Sequence, residues 1–146
     1  MLPWLAENWL EVVQTAAVLS GLAVAVSTLK LDVGVRKTEF VLKMNEAHRN
    51  IWDKLIDRPE LSRVLDPAAD IVSSPATVQE SRFVQSAILH IATVLQAVAE
   101  GAYDPGPGMD EDIREFLALP IPRSIAESIL PFQSEGFQAY LRARME

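Results

Sequence analysis

The chain has 146 residues, carries 20 acidic against 13 basic side chains for a formal net charge of −7, and is 49% hydrophobic with no cysteine. Its deficit of Lys and Arg argues against nucleic acid as a primary ligand, since phosphate contacts need a basic surplus. The lack of cysteine excludes disulfides, thiolate nucleophiles and thiolate metal sites, and the length suits one anchor plus one small domain with a single modest core.

Val12 to Leu29 is an eighteen-residue run without a charge, closed by Glu11 and Lys30. As a helix it spans roughly 27 Å, close to the thickness of a bilayer's hydrocarbon core, and we expect a transmembrane helix here. A cleaved signal peptide would open with basic residues and a shorter apolar stretch, whereas this N-terminus offers Glu7 and Glu11 and no Lys or Arg. The Ala, Ser and Thr content of the run keeps a buried core helix as the alternative. Trp4 and Trp9 sit where indoles settle at the headgroup boundary, and Lys30, Arg36 and Lys37 are the expected anchors on the other side. With Lys43 these form a basic flank, which places the N-terminus in the periplasm and the remainder in the cytoplasm of a bacterial inner membrane. Ala17, Gly21 and Ala25 fall four apart, widened by Ala16 and Ser20, so one face of the span is lined with small residues suited to close helix packing in lipid.

Beyond the span the pattern is helical, so the fold class expected is all-α: one N-terminal transmembrane helix followed by a small cytoplasmic helical bundle. The expected organisation is residues 1–31 for the N-terminal segment and span, 32–58 for a juxtamembrane amphipathic helix, and 59–146 for the rest of the cytoplasmic domain. From Val33 to Asp57 apolar residues recur in a 3–4 rhythm through Phe40, Val41, Met44, Ile51 and Leu55, with Gly34 as the one weak point next to the anchor. Pro59 suits the first turn of a short helix to Leu65, and Ala68 to Ala76 reads as a loop. Thr77 and Glu80 spell a capping box that opens a helix to about Glu100, terminated by Gly101. Its apolar face is expected to be Phe83, Val84, Ala87, Ile88, Ile91, Val94, Leu95 and Val98. After the turn Asp104 to Gly108, the acids Asp110, Glu111 and Asp112 start another helix at the positive end of its dipole. That helix is expected to break at Leu119-Pro120-Ile121-Pro122, with short helices following over Arg123–Leu130 and Ser134–Met145.

Residues that carry chemistry are sparse. His48 and His90 are the only histidines, and both are expected to be satisfied groups in helix interfaces. Neither His48 with Asp53 nor His90 with Glu80 has metal-ligand spacing, and Gly106 and Gly108 alternate with prolines that lack the N–H donors of a phosphate cradle. The acids Asp104, Asp110, Glu111, Asp112 and Glu115 lack the alternation of a calcium loop. We therefore expect no catalytic residue, no metal site and no cofactor. Candidate partner contacts are His48 and Trp52 on the juxtamembrane helix, and Arg142 and Arg144 after the tail aromatics Phe132, Phe137 and Tyr140.

The N-terminal span followed by HRNIW, RPELSRVL, the T-x-x-E-x-x-F of Thr77 to Phe83, and DIREFLALPIPR resembles small bacterial single-span membrane proteins of unknown function. The resemblance covers most of the part after the span, rests on packing and capping residues, and implies an anchored all-helical domain without catalytic residues to transfer. The expected function is a non-catalytic accessory or scaffold subunit. It would pack its span and helical domain against the transmembrane helices of a larger respiratory, photosynthetic or transport complex. The alternative is a self-associating membrane-anchored sensor or signalling adaptor, and an enzyme with an unrecognised site is the least favoured class.

Overall fold

The computed structural model describes residues 8–146, and among them every regular element is helical. Helix α1 runs Trp9–Asp57, a 3-10 helix covers Pro59–Leu65, and α2 runs Val78–Ala99. Helices α3 (Met109–Ala118) and α4 (Pro120–Ile129) follow, then a 3-10 turn Leu130–Phe132 and α5 (Glu135–Met145). The all-α expectation holds. The chain separates into two compact units, the first ending at Glu39 and the second running Phe40–Glu146. This boundary falls inside α1.

In the first unit the uncharged run is helical, and no residue of α1 is buried. Val18, Leu19, Leu22 and Val24 each keep 60% or more of their surface exposed. The helix passes through Gly34 without interruption. Two hydroxyls near the end of the run are satisfied locally: that of Ser27 donates to the Ala23 carbonyl at 2.8 Å and that of Thr28 to the Val24 carbonyl at 2.9 Å. By length and composition both α1 and α2 can cross a membrane, with mean hydropathies of 1.8 and 1.3 over their most apolar windows. The two differ in burial: none of that window is buried in α1, whereas 28% of it is buried in α2.

The second unit is organised around α2. Its buried positions Phe83, Val84, Ala87 and Ile88 recur every three to four residues and so form one stripe. Ile91, Val94, Leu95 and Val98 continue that stripe half-buried. Leu61 and Val64 pack on it from the 3-10 helix, Ile113 and Leu117 from α3, Ile121, Ile125 and Ala126 from α4, and Phe137, Leu141 and Met145 from α5.

Helix boundaries follow from capping chemistry. The Thr77 hydroxyl accepts from the Glu80 amide at 3.2 Å, and the Glu80 carboxylate accepts from the Thr77 amide at 2.6 Å, which completes the capping box. Glu80 is only 3% exposed, and its charge is matched by Arg63, whose guanidinium lies 3.3 Å from both carboxylate oxygens and also donates to the Ser74 carbonyl. One arginine thus ties the 3-10 helix, the 66–77 loop and the start of α2 together. Within that loop, hydrogen bonds from the Ser73 hydroxyl and amide and from the Val72 amide gather on the Asp70 carboxylate and hold it below the usual carboxylate range. At the far end of α2, Gly101 takes φ +66°, the Ala102 amide reaches the Ala97 carbonyl at 2.8 Å, and the Gly101 amide reaches Val98 at 3.0 Å. This is a Schellman ending, and it needs the left-handed conformation that glycine adopts freely.

The break expected over residues 119–122 is where α4 begins. Leu119 is extended at φ −68°, ψ 143°, and Pro120 and Pro122 occupy the first turn of α4, with Ile121 and Pro122 buried. Proline is tolerated there because first-turn N–H groups have no intrahelical partner, so these residues end α3 and start α4 in the same four positions.

Removing the cap and removing the buried carboxylate should differ in cost. Thr77→Ala is expected to lower the unfolding free energy of the second unit by about 1 kcal/mol. Glu80→Ala should lower it by about 2 to 3 kcal/mol, because Arg63 then loses its buried partner. Urea unfolding of the full-length variants, followed by near-ultraviolet circular dichroism, measures both.

Candidate functional site

The second unit contains a cleft of about 700 Å³ that opens between the C-terminal third of α1 and the helices α2 and α3. From α1 it receives Met44, His48, Ile51, Trp52 and Leu55, spaced three or four apart so that they share one face. From α2 it receives Phe83, Ala87, His90, Ile91 and Val94 by the same spacing. Helix α3 contributes Met109, Asp112, Ile113, Glu115 and Phe116, and Tyr103 stands before that helix. The volume lies in the range of ligand pockets, as does the composition, mainly apolar with a few polar groups.

The two histidines meet in this cleft. Their ring centroids are 5.8 Å apart with planes tilted by 40°. Trp52, one turn along α1 from His48, donates its indole N–H to His48 Nε2 at 3.0 Å. Trp52 remains 48% exposed while making this bond, so it forms part of the cleft wall and not of the core. Burial, and secondarily the neighbouring His48, depresses the pKa of His90 below the ordinary histidine value. Protonating His90 would place a cation in an apolar wall beside a second imidazole. Among the described residues no three His, Asp or Glu side chains gather as a metal site. The His48 Nε2 lone pair is committed to Trp52, and Glu80 is committed to Arg63 and the cap.

The remaining residues singled out from the sequence lie elsewhere. Ala17, Gly21 and Ala25 are exposed on α1, and a Cβ added at Gly21 would meet no atom within 4 Å. Trp9 is exposed, and Trp4 lies outside the described residues. Arg36 pairs with Asp32 at 2.8 Å, and Lys30 and Lys37 are on the same stretch of α1. Arg142 donates to the Gln138 side chain at 3.2 Å and is exposed.

Arg144 is tied into a cluster of its own. Asp110 at the start of α3 accepts from the Tyr140 hydroxyl and from Arg144, both at 2.8 Å, and the Arg144 guanidinium sits 3.8 Å from the Tyr140 ring centroid. Burial and the bond to Asp110 push the Tyr140 pKa up to about 12, and the same bond, with Arg144, lowers that of Asp110. The cluster joins α3 to α5.

Sequence reasoning named His48 and Trp52 but did not pair His48 with His90. Each lies on an apolar stripe of its helix, and that shared register is the one signal that foretold a meeting; which helices face each other is a tertiary matter. No known protein family, curated protein or solved structure matches this chain.

The depressed His90 pKa has a definite linkage sign. The unfolded chain's imidazole binds a proton near pH 6.5 and the folded one binds it less readily, so the neutral ring's contribution is complete above that pH. It is lost as pH falls below 6.5 toward the folded-state value. The unfolding free energy of the native chain should therefore drop between pH 7.5 and 5.5 more steeply than that of His90→Gln, as read from urea midpoints at the two pH values.

Proposed function

We propose that this protein is a membrane-anchored, non-catalytic accessory subunit, held in a bacterial inner membrane by α1 residues 12–29 and presenting its second unit in the cytoplasm. The observation that carries this reading is the uncovered apolar helix. Val12, Val13, Val18, Leu19, Leu22, Val24, Val26 and Leu29 are all exposed. Covering eight such side chains is worth roughly 10 to 20 kcal/mol, as large as the whole stability of an ordinary domain. A helix of this length with no buried residue needs either lipid or other helices around it. The hydroxyls of Ser27 and Thr28 support lipid, because their bonds to the helix's own carbonyls leave no donor to be stranded in hydrocarbon.

The orientation rests on charge. Lys30, Arg36, Lys37 and Lys43 follow the run, and the residues before it include Glu7 and Glu11 but no Lys or Arg. The face of Ala17, Gly21 and Ala25 is the surface through which the span would pack against transmembrane helices of a larger complex. Among the described residues nothing crowds Gly21, so its small size is free to serve a neighbouring helix. A second reading, a self-associating sensor, draws on His90, whose protonation beside His48 would change the cleft.

Two measurements test the proposal. The native protein extracted in mild detergent should migrate with other membrane proteins, and Gly21→Ile should weaken that association several-fold. Migration as a lone monomer would overturn the accessory-subunit reading, and a homodimer free of other proteins would favour the sensor. Because the chain has no cysteine, single cysteines report topology without background. A membrane-impermeant maleimide applied to intact spheroplasts should label Ala6→Cys and spare Glu146→Cys; the opposite pattern would reverse the orientation.

A further inference from the structure

The charge of the cleft selects its ligand. None of the nineteen residues that line it is Lys or Arg, whereas Asp112 and Glu115 contribute two carboxylates from α3. The imidazole of His48 accepts a proton donor from Trp52, and that of His90 resists protonation in its partly buried position. The other polar lining groups, Asn45 and Tyr103, carry no charge at neutral pH. An anionic amphiphile, such as a fatty acid, would therefore meet two carboxylates and no cation. Trp52, Phe83, Tyr103 and Phe116 supply aromatic surface from four different segments, and aromatic faces attract cations when water is excluded. Apolar walls, aromatic faces and a negatively charged rim together describe a receptor for a positively charged organic molecule, and the volume of about 700 Å³ admits one of drug size.

We propose that the cleft between α1, α2 and α3 binds a lipophilic organic cation, its apolar body against Ile51, Phe83 and Phe116 and its charge toward Asp112 and Glu115. This is separate from the role assigned to the membrane span, since every lining residue lies in the unit after Glu39. Contacts with Trp52 from α1 and with Phe83 from α2 would let an occupant bridge the two walls of the cleft.

Tetraphenylphosphonium and tetraphenylborate, equal in shape and opposite in charge, make the test. The full chain carrying Trp4→Phe and Trp9→Phe retains Trp52 as its one indole, and is placed in lipid nanodiscs with empty nanodiscs as the partition reference. Tetraphenylphosphonium should change Trp52 fluorescence saturably, and tetraphenylborate, titrated separately over the same free concentrations, should not. Asp112 and Glu115 are both exposed, so Asp112→Asn with Glu115→Gln should leave the circular dichroism spectrum intact while weakening tetraphenylphosphonium at least about fivefold. Three results would each overturn the proposal: no saturable change beyond partition into the nanodisc, binding of tetraphenylborate with equal affinity, or unaltered affinity in the double variant.

Discussion

Eighteen uncharged residues of α1 form a helix that buries none of its side chains. In water this arrangement is costly, because each exposed Val or Leu forfeits on the order of 1 to 3 kcal/mol that burial would return. Most of the architecture can be understood as consequences of that constraint. Near the end of the span we propose, the hydroxyls of Ser27 and Thr28 are bonded back to the helix's own carbonyls. The span needs charge kept to its ends, and Glu11 and Lys30 mark them. Within the second unit, the last third of α1 contributes only partly buried residues to the packing, Ile51 and Leu55 among them. The unit's stability is therefore built from the remaining helices.

Those helices are fixed at their ends, where backbone groups have no intrahelical partner. The Thr77–Glu80 capping box, the Arg63 guanidinium on Glu80 and the Schellman turn at Gly101 fix both ends of α2, the element to which the others attach. The Asp110–Tyr140–Arg144 cluster does the same between α3 and α5. What this scheme leaves open is the seam toward α1, where Met44, His48 and Trp52 face α2 across a cleft in place of a packed interface. The same residues that make α1 amphipathic are thus the walls of the candidate site.

The sequence made some of this readable and not the rest, for reasons that lie in individual residues. The capping box, the glycine that ends α2 and the stripe from Phe83 onward are local patterns, and they appear where the spacing puts them. Pro120 and Pro122 mark the break that ends α3 at Ala118, but the first turn of a helix has donors to spare, so α4 begins on them and not at Arg123. Arg144 looked like an outward basic group at the end of the chain, whereas Asp110 and the Tyr140 ring hold it. The approach of His48 to His90 and the grouping of Asp112 and Glu115 with Trp52 depend on which helices face each other. No period within one helix encodes that.

That lipid covers the uncharged face of α1 is tested most directly by washing membranes that contain the native protein with alkaline sodium carbonate. This treatment strips proteins held at the surface by charge and leaves those held through the hydrocarbon. A chain anchored by this span stays with the sedimented membranes. Its release into the supernatant, as a folded helical chain, would contradict the proposed span.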